Sequence, residues 1–153
     1  MTFSRSKNLP ALAGSGLIMV MDGQGGGIGR AIIKRLRDTF GEEVEILALG
    51  TNSVATSQMM KAGANRGATG ENAIIKMAPE VDIIIGPLAI IIANSMMGEV
   101  SPGISEAISS SKALKILIPL TQEKVEIVGV SGEPLPHLMD QVIEIIKGGE
   151  KDV

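Results

Sequence analysis

The residues with the clearest chemistry stand together at Asp22-Gly23-Gln24-Gly25-Gly26-Gly27-Ile28-Gly29. Glycine lets a chain turn at positive φ and leaves no Cβ between a ligand and the main chain. The continuous apolar run Leu17–Met21 precedes the cluster, and an amphipathic stretch from Ile28 to Phe40 follows it. A strand, a glycine turn and a helix in that order offer an anion free N–H groups and the positive end of a helix dipole. The predicted phosphate site is therefore Gly23, Gln24, Gly25, Gly26, Gly27, Ile28 and Gly29, with Arg30 adding charge.

Asp22 does not suit a phosphate neighbour. A carboxylate about 4 Å from a phosphate charge repels it by roughly 1–4 kcal/mol, depending on the effective dielectric. Three readings stay open. Asp22 could accept hydrogen bonds from its own turn, at the amides of Gln24 or Gly25. It could hold Mg²⁺ that bridges to a phosphate, or it could bind a ribose or substrate hydroxyl. No carboxylate pair is spaced for a dinuclear metal site.

Other polar groups follow the apolar runs. Gly50-Thr51-Asn52-Ser53 stands where an NAD-binding domain usually carries an acid for the ribose. Thr51 and Asn52 could contact the ribose, and their small polar groups favour NADP over NAD. Turn and capping chemistry explains them equally well. Asn65–Asn72 reads as a polar loop in which Arg66 could pair with a phosphate and Glu71 act as a base, or as a solvated connector. Asn94 and Ser95 interrupt an apolar segment and could face the site, or be buried groups satisfied within the protein. The weak catalytic candidates are thus Asp22, Glu71 and Asn94. His137, the only histidine, suits a surface helix start better than catalysis.

Composition narrows the classes. The chain has 153 residues, which fits one domain. Its net charge of −3 and its lack of Trp and Tyr argue against nucleic-acid binding. The absence of cysteine excludes disulfides, thiolate metal sites and cysteine nucleophiles. Residues 1–16 read as a flexible N-terminal extension and 17–150 as a single nucleotide-binding domain. The extension lacks the apolar stretch of a signal peptide. No run is long enough to span a bilayer. A cytoplasmic protein is expected.

These groups need a frame to position them. Strands are predicted at Leu17–Met21, Val44–Leu49, Val81–Ile85 and Lys115–Ile118. Helices are predicted over Ile28–Phe40, from an N-cap at Ser53, over Ala73–Ala78, over Leu88–Met97, from Ser101-Pro102 to Ser111, and over Leu138–Lys147, ended by Gly148-Gly149. Val125–Val130 reads as a fifth strand. Too few residues separate it from the fourth for a parallel crossover, so it is predicted as an antiparallel edge strand. The whole is an α/β, three-layer Rossmann-like sheet, mostly parallel, with the dinucleotide-fold strand order favoured. The apolar face around Ile90, Ile91, Met96 and Met97 suggests a homodimer interface.

The loop resembles the short-chain dehydrogenase fingerprint, threonine-glycine-three residues-glycine-x-glycine. Gly23, Gly27, Ile28 and Gly29 match it, and Asp22 replaces the threonine. The resemblance implies an NADP or NAD site. That family catalyses with a tyrosine and a lysine, and this chain has no tyrosine, so the family's ordinary activity is excluded. The loop together with Ala48-Leu49-Gly50-Thr51-Asn52 and Ala68-Thr69-Gly70-Glu71-Asn72-Ala73 also resembles a functionally uncharacterised family of short bacterial proteins. That resemblance implies a stand-alone Rossmann-like domain and carries over no catalytic residues. Two functions fit: a nucleotide- or dinucleotide-binding domain acting as a small oxidoreductase or enzyme subunit, or a non-enzymatic nucleotide-sensing or regulatory subunit.

Overall fold

The computed structural model describes residues 9–121 and 123–148. Five strands form one sheet: β1 (Leu17–Asp22), β2 (Glu45–Gly50), β3 (Arg66–Thr69), β4 (Ile83–Pro87) and β5 (Leu114–Ile118). Their spatial order is β3-β2-β1-β4-β5. Every pairing is parallel, with Val20 beside Ala48 on one side and Ile85 on the other. This is the strand order of the dinucleotide-binding fold.

The parallel sheet follows from apolar runs buried on both faces. Side chains alternate along a strand, so Ile18 and Val20 enter one core while Met19 and Met21 enter the other. The first core is closed by α1 (Gly27–Phe40), by Ala55 and Met59 of α2 (Ser53–Lys61), and by α5 (Leu135–Ile146). The second is closed by α3 (Glu71–Met77), α4 (Pro102–Ser110) and Ile90. In α1, Ile32, Ile33, Leu36 and Phe40 form the buried stripe. Burying one such side chain contributes about 1.5–3 kcal/mol.

Several expectations change. The sheet has no antiparallel edge strand: Val125–Val130 is irregular, and Val128 is fully exposed. Its alternation of apolar residues suits a strand, but its backbone joins no ladder and its side chains meet no core. The fifth strand comes instead from Arg66–Thr69, inside the polar loop, where all four residues are exposed at the sheet edge. Leu88–Met97 is no helix. A 3-10 turn spans Leu88–Ile91, and Asn94, Met96 and Met97 then take left-handed φ values of 65°, 55° and 57°. At the two methionines this costs about 1–2 kcal/mol each, and asparagine tolerates it better. Ser95 stabilises the turn by donating its buried hydroxyl to the Ala89 carbonyl at 2.5 Å.

The helix caps follow ordinary chemistry. Asn52, not Ser53, caps α2 by accepting from the Ala55 amide at 2.9 Å. Ser101 caps α4 by accepting from Ile104, as its pairing with Pro102 predicts. Residues 1–8 of the expected extension lie outside the described residues. Leu9 and Leu12 are buried, and the Asp82 carboxylate accepts from the amides of Ser15 and Gly16. No helix among the described residues is long and apolar enough to cross a membrane.

Candidate functional site

The site is built at the carboxyl ends of β1 and β4. In this strand order, the chain leaves β1 toward β2 on one side and β4 lies on the other. A crevice opens where the two directions part. A cleft of about 580 Å³ occupies it. Residues 22–28 form one wall, Pro87 and Ala89 the floor, and Met96, Met97, Leu120, Thr121 and Glu123 the rest.

Asp22 is the last residue of β1, and its side chain turns under the loop. One carboxylate oxygen accepts from the Gly23 amide at 2.8 Å, the other from Gly29 at 2.7 Å. The carboxylate thus closes its own turn, as one of the three readings allows, but through Gly23 and Gly29 rather than Gln24 or Gly25. Gly29 is the third residue of α1, so Asp22 also satisfies an N-terminal donor of that helix. Burial pushes its carboxyl above the ordinary 3.8, against the pull of the Gly29, Gly23 and Ile28 amides, and the charge of Glu99 adds to the rise. No group of three or more His, Asp or Glu that could hold a metal gathers among the described residues.

The glycines of the loop divide by what surrounds them. Gly26 takes φ +75°, and a Cβ there would stand 2.8 Å from the Ala55 Cα. A Cβ on Gly29 would meet the Met59 sulfur at 2.5 Å, and one on Gly23 would meet the Thr51 hydroxyl at 2.5 Å. Backbone conformation and packing demand Gly26, while a side chain at Gly23 or Gly29 requires neighbouring side chains to shift. Gly25 and Gly27 are different: a Cβ on either would meet nothing within 4 Å, and neither has positive φ. Their amides also find no acceptor among the described residues, whereas Gly26 donates to the Gly23 carbonyl.

Glu99 is the residue sequence reasoning missed. One of its carboxylate oxygens accepts from the Gln24 amide at 2.8 Å, the Thr51 hydroxyl at 2.6 Å and the Asn52 amide at 2.9 Å. Partial burial works to raise its pKa. The hydrogen bonds from Thr51, Gln24 and Asn52 outweigh that and hold it below the ordinary 4.5. The available signal was its place: loops after strands at the carboxyl edge of an α/β sheet are where ligand contacts arise.

The other candidates scatter. Thr51 and Asn52 sit against Glu99 and do not line the cleft. Arg30 is exposed and away from the cleft lining. Glu71 begins α3 and accepts from the Ser101 hydroxyl, outside the cleft. Arg66 pairs with Glu45 at 3.0 Å. Asn94 is exposed, and its amide donates to Val100. The imidazole of His137 is exposed 3.7 Å from Glu133. Of the expected apolar interface, Ile90 is core, while Met97 is almost fully exposed.

Strand order, two covered faces and a glycine loop at the switch-point cleft define a Rossmann-type α/β domain. The chain belongs to the family described as Domain of unknown function (DUF3842), whose model matches residues 17–150. An uncharacterised family is what the longer of the two resemblances implies. No curated protein matches the chain.

Proposed function

We propose that this domain binds a nucleotide, with a phosphate on the Gly25 and Gly27 amides and the remainder in the cleft between β1 and β4. One observation carries the reading. Gly25 and Gly27 are bare where the fold does not require it, and their unpaired donors lie at the mouth of a helix beside a ligand-sized cleft. Glycine costs about 0.5–1 kcal/mol relative to alanine in regular structure. Access to the main chain explains why it is kept. The cleft volume lies within the usual range of about 300–1,000 Å³ for small-molecule sites.

The cleft favours the sensing or regulatory reading over catalysis. Among the described residues its titratable side chains are Asp22, already committed to its turn, and Glu123, which accepts from the Met96 amide at 3.0 Å. Among the described residues neither Lys nor Arg lines it, so there the phosphate meets amides and the helix dipole. NADP or NAD fits only if Glu99 moves away from Gln24, Thr51 and Asn52. Mg²⁺ would have to enter with the nucleotide, since the Asp22 carboxylate already accepts from Gly23 and Gly29. A homodimer remains part of the proposal, through exposed Met97 and the exposed apolar residues of 125–130.

Thermal-shift measurements with nucleoside monophosphates and dinucleotides, with and without Mg²⁺, test this. A nucleotide at about 100 times its Kd adds about 2.7 kcal/mol. The shift should disappear in Gly27→Val, whose side chain enters the open space before the amides. A shift unchanged in Gly27→Val, or no shift with any nucleotide, refutes the reading.

A further inference from the structure

We infer that Glu99 restricts the site to ligands with a single nucleoside, by filling the place that the second nucleoside of a dinucleotide would take. The inference rests on the phosphate-binding reading above and adds the ligand class. In this fold the far ribose of a dinucleotide lies over the end of β2, where an acid accepts from its hydroxyls. The chain has Thr51 and Asn52 there. The carboxylate that reaches that spot comes from the opposite direction, out of the loop after β4, and it uses the donors itself. A single Glu99 oxygen takes the Gln24 amide, the Thr51 hydroxyl and the Asn52 amide. Those are the donors a bound sugar or phosphate would need.

Packing closes the same corner. A Cβ on Gly23 would stand 2.5 Å from the Thr51 hydroxyl, 2.6 Å from the Met96 sulfur and 3.1 Å from the Glu99 carboxylate. A methyl group fits there only if the Thr51, Met96 and Glu99 side chains shift. Residues of the β4 side, Pro87 and Ala89, line the open cleft, and no residue of β2 does. The loop is held shut at both ends: Glu99 on the glycine loop, and the Met96 amide on the Glu123 carboxylate. A 2′-phosphate at that corner would also face the Glu99 charge, so NADP is rejected more strongly than NAD. This reverses the preference that Thr51 and Asn52 suggest by themselves.

The test compares Kd values by calorimetry for AMP, GMP, NAD and NADP on wild type, Glu99→Ala, Glu99→Gln and Gly27→Val. Glutamine keeps an acceptor oxygen and the bulk but loses the charge, so Glu99→Gln should bind NAD and the monophosphates as wild type does and relieve only the additional rejection of NADP. Glu99→Ala should bind NAD and NADP at least tenfold more tightly, with monophosphate affinity changed less than threefold. Thermal midpoints confirm that each variant is folded. If Glu99→Ala weakens the dinucleotides, Glu99 is a ribose ligand and the inference is overturned. If dinucleotides bind the wild type as tightly as monophosphates do, it is overturned too. Monophosphate binding that is lost in Gly27→Val preserves the phosphate reading in either case. Absence of binding by both classes in every variant removes the reading and the inference together.

Discussion

The two flanks of β1 end differently. Toward β2, the space above the sheet is filled by Thr51, Asn52, Met96 and Glu99, and one Glu99 oxygen accepts from Gln24, Thr51 and Asn52 together. Toward β4, the space is a cleft, and the amides of Gly25 and Gly27 face it without acceptors. One glycine loop serves both flanks. Its packed glycines, Gly23, Gly26 and Gly29, answer to the neighbouring chain, and its open pair answers to whatever enters. Glycine richness alone is thus a poor guide to a ligand site. The positions where a Cβ would meet nothing are the informative ones.

The sharpest way to break this comparison is to add side chains on each flank. Gly26→Val should destabilise the fold by about 3 kcal/mol, combining a left-handed φ with overpacking against Ala55. Gly25→Ala and Gly27→Ala should leave stability unchanged or raise it by about 0.4–1 kcal/mol, because the unfolded chain loses freedom. Urea unfolding separates the two outcomes. Comparable losses at Gly26 and Gly27 would show that the open pair is also structural.

Next in size is Asp22→Ala. It leaves the Gly23 and Gly29 amides without acceptors, and hydrogen bonds to a charged group contribute about 1.5–3 kcal/mol. A loss of about 2 kcal/mol in urea unfolding is expected. Nucleotide affinity in Asp22→Asn should be indifferent to Mg²⁺ to the same extent as in the wild type. A Mg²⁺ dependence abolished by this change would instead make Asp22 a metal ligand.

The two acids that touch the loop should also respond oppositely to pH. Glu99 titrates below 4.5 in the folded state, so its contribution is present above 4.5 and disappears as pH falls through the lowered value. Asp22 titrates above 3.8, so the folded form binds its proton more tightly. Its ionisation costs stability as pH rises from 3.8 through the raised value. Unfolding free energies across pH 3–7 should therefore show a smaller acid-side loss in Glu99→Gln than in wild type. An identical acid limb in the two proteins would mean that the Glu99 contacts do not persist in solution.

Much of this frame can be read from the chain, for definite reasons. β1, β2 and β4 are uninterrupted apolar runs because both their faces are covered, and α1 keeps a stripe from Ile32 to Phe40. The glycine loop is legible because it sits between two such elements. β3 is not legible: Arg66–Thr69 lies exposed at the sheet edge and carries no apolar pattern. Val125–Val130 misleads in the opposite way, since alternation shows that residues could pair and not that a partner strand is present. Leu88–Met97 misleads because an apolar run of that length fits a buried helix and a buried turn alike. Glu99 is hidden because its partner Thr51 lies 48 residues away and no local pattern links them.

The smallest effect concerns the loop that makes the two flanks differ. Met97 is exposed yet held at φ 57°, so its side chain gains little contact while its backbone bears the strain. Asparagine tolerates the left-handed region better than other residues with a Cβ. Met97→Asn should therefore stabilise the protein by about 0.5 kcal/mol, given a left-handed penalty of about 1–2 kcal/mol that asparagine relieves in part. Replacement by threonine, β-branched and poorly suited to positive φ, should do the reverse. The pair reports on the loop's conformation without any ligand, because the strain exists only while Met97 holds its left-handed φ. If both changes are neutral in urea unfolding, the loop does not hold this conformation in solution, and the flank toward β2 is as open as the flank toward β4.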